Sequence, residues 1–159
     1  MNKIILGIDP GLATTGYGVI KKEGSKVCLI DYGVIKTPAK TIHAKRLKEI
    51  YDSLKKIIEK HKPDLLAVEE LFFCKNVKTA LQVGQARGVI LLLGNQMKIT
   101  IEEFTPLEVK QAVSSYGRAD KNQVQQMIKR ILNLKEIPKP DDAADALACA
   151  ICGAFSHRF

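Results

Sequence analysis

Three acidic features of this chain lie where a buried strand or an apolar helix should disfavour charge. Asp9 ends the run Lys3-Ile4-Ile5-Leu6-Gly7-Ile8, and Glu69 and Glu70 end the run Asp64-Leu65-Leu66-Ala67-Val68. Asp142 and Asp145 stand in an Ala-rich stretch near the C-terminus, with Asp141 just before them. Residues three apart share a helix face, so Asp142 and Asp145 can point at a common spot. Parallel strands of open α/β sheets collect functional groups at their carboxyl ends, where Asp9 and Glu69 both sit. A last helix lying over those ends brings four carboxylates together. Such a cluster repels itself and needs a counter-charge. Magnesium suits a few carboxylates plus water plus a substrate phosphate. Two such ions about 3.5–4 Å apart can activate an attacking water and stabilise the leaving oxygen of a phosphodiester. Singly, each acid has an ordinary alternative: Asp9 as a turn residue before Pro10, Asp142 as a helix N-terminal charge, Glu69 as a strand end. Jointly they favour one site, and spacing alone does not choose between Glu69 and Glu70.

The rest of the chain is basic. Lys and Arg number 25 against 17 Asp and Glu, a net charge of +8, with a pI near 9.3. That imbalance favours polyanionic partners, because each cation placed on a phosphate releases condensed counterions. The cations are spread along the chain, among them Lys45, Arg46, Lys78, Arg87, Lys110, Arg118, Lys121 and Arg130. No basic tail exists. Acids that hold metal inside a surround that attracts a nucleic-acid backbone form the charge arrangement of a metal-dependent nuclease.

At 159 residues and 46% hydrophobic, the chain suffices for one core and one domain over 1–159. The longest apolar run, 88–94, is far too short to cross a bilayer. The N-terminus reaches Asp9 before a signal-peptide core can form, so a cytoplasmic location without membrane association is expected. Of the four cysteines, Cys28, Cys74, Cys149 and Cys152, only the last two form a C-x-x-C. They lie in the Ala-rich helical stretch and read as small buried hydrophobes rather than zinc ligands.

The elements that must position the acids follow from periodicity. Residues 3–9 form a buried strand stopped by Pro10-Gly11. Strands at 17–21 and 27–35, joined by the Lys22-Glu23-Gly24-Ser25 turn, extend it as an antiparallel meander. Ile42, Leu47, Ile50, Tyr51, Leu54, Ile57 and Ile58 mark an amphipathic helix ended by His61-Lys62-Pro63. Residues 64–69 read as a central parallel strand, 77–93 as a helix, and 99–104 as another strand. Gly84 and Gly88 weaken the 77–93 helix and suggest close approach by another element. Thr105, Pro106 and Glu108 open a further helix. Asp120 caps a helix over 121–132, and Pro138 to Pro140 lead stiffly into the last, 142–154. The order implies a mixed five-stranded sheet flanked by helices, an α/β fold with right-handed crossovers.

A family resemblance adds to this reading. Gly7-Ile8-Asp9-Pro10-Gly11 with Thr15-Gly16-Tyr17-Gly18 resembles the opening of the RuvC family, the bacterial Holliday junction resolvases. Val68-Glu69 with Phe72, then Lys75-Asn76 and Gly84-Gln85-Ala86-Arg87-Gly88-Val89, resemble its middle segments. Val109-Lys110-Gln111, Lys121-x-Gln123-Val124-Gln125 and Asp142-Ala143-Ala144-Asp145-Ala146-Leu147-Ala148 continue the match to about residue 152. The resemblance implies a ribonuclease H-like fold and a homodimer that nicks four-way DNA junctions with magnesium. Two ions per site are implied, with manganese as a substitute and a branch-migration motor complex as a further partner. Carried over by motif, the catalytic, metal-holding carboxylates are Asp9, Glu69, Asp142 and Asp145. Glu69 is preferred over Glu70 because it lies three before an aromatic, Phe72, the family's junction-contacting residue. Lys110 and Lys121 correspond to basic residues near the phosphates. Asp141 and Asp120 receive no functional assignment.

Two rival functions deserve comparison. Gly7-Ile8-Asp9-x-Gly11 with Thr14-Thr15 also resembles the first phosphate loop of actin-like ATPases and sugar kinases. Those proteins need a second, similar domain, for which this chain is too short. An RNA-processing nuclease of the same fold, the YqgF type, is disfavoured by the Phe72 region, the Gly84–Val89 segment and the paired Asp142 and Asp145.

Overall fold

The computed structural model describes residues 2–70 and 76–156. Along the chain run β1 (Asn2–Asp9), β2 (Thr14–Glu23), β3 (Lys26–Lys36), α1 (His43–His61), β4 (Leu65–Glu69) and α2 (Val77–Gln96). Then come β5 (Thr100–Phe104), α3 (Pro106–Ser114), α4 (Lys121–Ile131) and α5 (Asp141–Phe155). The sheet order is β3-β2-β1-β4-β5. β1 to β3 form the antiparallel meander, whereas β1, β4 and β5 pair in parallel. This is the mixed five-stranded α/β sheet expected.

Both faces of the central strands are covered, which is why their sequences are continuously apolar. Ile5, Ile20, Leu65 and Ala67 face a core shared with α3, α4 and α5. Leu6, Ile8, Val19, Leu66 and Val68 face the other core, with α1 and α2. Successive strand residues alternate faces, so odd positions of β1 and β4 look toward α5. That parity decides where the strand-end acids point.

β2 and β3 run longer than their apolar residues suggest. The hairpin closes through Gly24 alone at a positive φ of 61°, so Lys22 and Glu23 remain in the ladder, paired with Val27 and Lys26. Ile30 is the extra residue of a bulge: Ile20 pairs with Leu29 and Val19 with Asp31.

The helix ends follow the local signals. α1 stops at Lys62 in the left-handed conformation, before Pro63. Thr105 and Glu108 close a reciprocal capping box on α3, and Asp120 and Gln123 another on α4. These pairs satisfy backbone donors that a helix start otherwise leaves orphaned.

The close approach expected at α2 is not made to Gly88 within the chain. A methyl group at Gly88 meets nothing within 4 Å; α2 buries Ala86, Ile90 and Leu93 and leaves Gly88 exposed. Three close approaches to strand glycines lie under α5. A methyl at Gly7 would stand 2.1 Å from the Ala146 carbonyl oxygen, and one at Gly16 1.9 Å from that of Asp142. At Gly18 it would meet the Leu147 side chain at 2.6 Å. Gly7 and Gly18 are cross-strand partners, so they and Gly16 form a saddle in the sheet. The Ala-rich α5 seats directly on it.

Candidate active site

The saddle determines where the acids of α5 can go. Asp9 ends β1 directly across from Gly16, and the Asp142 carbonyl lies against Gly16. The first turn of α5 therefore rests beside the Asp9 strand end. After Asp9 the chain turns sharply, and the turn is pinned from within. The Thr15 hydroxyl donates to the Gly11 carbonyl at 2.6 Å, and the Thr37 hydroxyl donates to that of Leu12 at 2.5 Å. A buried Thr15 spent on its own loop is not turned outward to a phosphate. This weakens the nucleotide-binding rival.

β4 ends beside β1. Glu69 pairs with Phe104 of β5, and the Glu70 amide donates to the Phe104 carbonyl at 2.8 Å. Parity places Glu69 with Ala67 and Leu65 on the α5 side and turns Glu70 toward the opposite face. The Arg87 side chain of α2 spans the same strand end, ion-paired with Glu103 at 2.8 Å and donating to the Glu69 carbonyl at 3.4 Å.

The four carboxylates sense one another. Burial, then the charges of Glu69, Asp145 and Asp142, then a hydrogen bond with Glu69, push the Asp9 carboxyl up to about 8. Burial is also the main cause of the raised pKa of Glu69, reinforced by Asp145 and opposed by the bond to Asp9 and by Lys110. That bond links the two strand-end acids, and both are held above their ordinary range. Asp145 is raised by burial, with Lys121 opposing and Asp142 and Asp141 reinforcing. Acids raised above their ordinary range by burial and by one another mark a place where positive charge is wanted.

Two lysines answer part of that demand. Lys121, at the start of α4, lies 2.8 Å from Asp141 and 4.0 Å from Asp145. Gln125 also donates to Asp141 at 3.1 Å, so Asp141 serves as an anchor for α4. Lys110 of α3 lines, with Lys121, Glu69 and Asp145, an open cavity of about 260 Å³ walled by Val109 and Val124. Among the described residues no three His, Cys, Asp or Glu already stand at metal-binding distances. The oxygens are gathered but not closed into a cage: Asp9 and Glu69 share a hydrogen bond, and Lys121 draws on Asp145. Oxygen-only donors, self-repelling and open on one side, fit a magnesium ion that keeps several of its waters.

Asp9, Glu69, Asp142, Asp145, Lys110 and Lys121 thus fall around one site, whereas Phe72 lies outside the described residues. Cys149 and Cys152 are buried in the α5 core, and burial pushes the Cys149 thiol well up. Sequence reasoning missed the glycine saddle, the Arg87 clamp and the Asp141 anchor. The alternation of Gly7, Gly16 and Gly18 on strands opposite an Ala-rich helix was the available signal for the saddle.

Comparison with known proteins identifies the family. A model of the family "Crossover junction endodeoxyribonuclease RuvC" matches residues 5–153. The RuvC of Halothermothrix orenii is 61% identical over 98% of this chain and 94% of its own length. That of Ruminiclostridium cellulolyticum is 58% identical over 98% and 93%. The solved structure of Thermus thermophilus RuvC in complex with a Holliday junction substrate superposes with a TM-score of 0.92 at 35% identity, covering 96% of this chain and 93% of that one. The fold is ribonuclease H-like, and the chain belongs to the RuvC family of crossover junction endodeoxyribonucleases.

Proposed function

We propose that this protein resolves four-way DNA junctions by paired, symmetric nicks, acting as a single nuclease domain over residues 1–159 in the cytoplasm. The observation that carries the reading is the burial of Asp9 among Glu69, Asp142 and Asp145, in a chain of the junction-nuclease family. These four carboxylates would hold two magnesium ions, for which manganese could substitute. When bound, the ions would supply an activated water and a counter-charge for the leaving oxygen. Asp9 would serve as a ligand in its ionised form, and Glu69 and Asp145 line the open cavity. Lys110 and Lys121, on its rim, hold phosphates of the cleaved strand. Phe72 contacts an unpaired base at the crossover.

The partner on the protein side is a second copy. Val77, Leu81, Gly88 and Leu92 recur along the exposed side of α2. An apolar stripe with a glycine in it suits close helix packing across a two-fold axis, and two equal sites then face two strands of like polarity. A branch-migration motor complex is a further partner in this reading. The family match over 5–153 favours DNA junctions over structured RNA as substrate.

The test is incubation with a synthetic four-way junction and magnesium, with structured RNA and plain duplex alongside. Symmetric nicks near the crossover are expected. Preferential cutting of RNA, or no cutting of the junction in either metal, would refute the reading.

A further inference from the structure

The peptide joining Glu69 to Glu70 is held from both sides, and only one of the two holds belongs to the sheet. A trans peptide points its carbonyl and its N–H in opposite directions. The Glu70 amide donates to the Phe104 carbonyl of β5 at 2.8 Å, so the Glu69 carbonyl faces β1. There the ladder has run out. β1 and β4 pair only as far as Ile8 and Val68, and Pro10, next after Asp9, has no N–H to give. The donor comes instead from α2: Arg87 offers its Nε to the Glu69 carbonyl at 3.4 Å. The same guanidinium sets Nη2 2.8 Å from a Glu103 carboxylate oxygen, and the Arg87 side chain is only 20% exposed. Glu103 is the ladder partner of Val68, so one arginine bridges the ends of β4 and β5.

We infer that Arg87 is a positioning residue for Glu69: its fork fixes the strand end from the α2 side, so that the Glu69 carboxylate is held in place for a metal ion on the opposite face. The inference rests on the metal-dependent reading above and adds a residue to it. Arg87 supplies position rather than charge. Its charge is paired with Glu103, and the cation that opposes the rise of the Glu69 carboxyl is Lys110. Ligand oxygens must be held within about 0.5 Å of their productive places by groups that are themselves locked. A guanidinium does this well, because its donors stand in a rigid plane and serve a carboxylate and a carbonyl together. An ammonium is a point charge on a flexible stem. A lysine at this position satisfies Glu103 and lets the Glu69 carbonyl go.

The experiment titrates manganese into the DNA-free protein, read by water-proton relaxation, for the intact chain, Arg87→Ala and Arg87→Lys. Both variants should bind manganese about tenfold more weakly, the low end of what an outer partner of a metal ligand is worth. Arg87→Lys should do so at the parent's urea midpoint, which separates a displaced ligand from a weakened fold. In single-turnover nicking of a four-way junction, both variants should need about tenfold more magnesium for half their maximal rate. They should approach the parent rate once magnesium saturates, with junction affinity unchanged. Parent-like manganese binding in Arg87→Lys overturns the inference, because charge alone then suffices. A lower plateau at unchanged half-saturation overturns it too, because the ligand is then held without the fork. If the intact chain neither binds manganese nor nicks the junction, the metal-dependent reading falls and the inference with it.

Discussion

Asp9 is the residue whose charge state the rest of the site controls. Its carboxyl titrates near 8 in the metal-free fold against 3.8 for the free side chain. Between those values the folded chain holds a proton that the unfolded chain has released. The stabilisation linked to this group is therefore complete below about pH 3.8 and is lost as pH rises through 8. Removing the charge should relieve that loss. In chelator, Asp9→Asn is expected to match the parent near pH 4 and to exceed it above pH 8, by an amount on the order of a few kcal/mol. Urea unfolding at both pH values measures it, and a variant weaker at both would contradict the burial argument. On the proposed reading a metal ion competes with the proton on Asp9, so metal affinity and nicking should rise from pH 6 to 8 in the parent. Nicking should fall at least about a thousandfold in Asp9→Asn, with junction binding retained. A binding assay beside the cleavage assay separates the two, because the carboxylate is assigned to metal and not to DNA.

The acids of α5 reach Asp9 only because that helix sits on three glycines. Gly16→Ala would drive a methyl group into the Asp142 backbone carbonyl at 1.9 Å, and no side-chain rotation relieves a clash with backbone. The start of α5 must lift, at a cost of roughly 3 kcal/mol, and carry Asp142 away from Asp9. Unfolding midpoints should fall accordingly, and nicking should drop further than the lost folded fraction explains. An alanine accepted there with full activity would mean that α5 does not need the saddle. The same element shows what could be read in advance. Apolar runs marked β1, β4 and β5, and caps marked α3 and α4, because those signals are local. The i, i+3 spacing of Asp142 and Asp145 was legible for the same reason. Glu69 against Glu70 was not decidable from residues alone, since either could end a strand, until parity with Ala67 and Leu65 placed one on each face. The expected β2 began at Tyr17 and left out Thr14, Thr15 and Gly16, because a strand glycine is explained by what crosses it. Gly84 and Gly88 signalled close approach by another element without naming it, because a helical glycine does not say whether its neighbour is internal or a second copy.

At the scale of the whole molecule, two charge and surface features go together. Lys110 and Lys121 line the acidic pocket of a chain with net charge +8, so association with DNA should weaken steeply with salt. Lys110→Ala combined with Lys121→Ala should lower the slope of log affinity against log salt by about 2, roughly 0.9 per phosphate contact. An unchanged slope would move those lysines off the DNA. The exposed stripe of Val77, Leu81, Gly88 and Leu92 on α2 remains to be covered. Leu81 is 64% exposed and Val77 71%, so neither holds the monomer together, and a surface substitution there should alter its stability by less than about 0.5 kcal/mol. In a dimer closed through α2 the same residues sit in the desolvated centre. A carboxylate placed at Leu81 would then face its own copy across the axis, uncompensated. Leu81→Glu should weaken the dimer by at least about 30-fold, the effect of losing a central contact, as read by sedimentation over a concentration series. Gly88→Trp should do the same by bulk alone. A monomer has one site and should release singly nicked junctions, whereas the dimer delivers both cuts within one complex. Paired nicking at unchanged dimer mass in both variants would place the two-fold contact on another surface of the molecule.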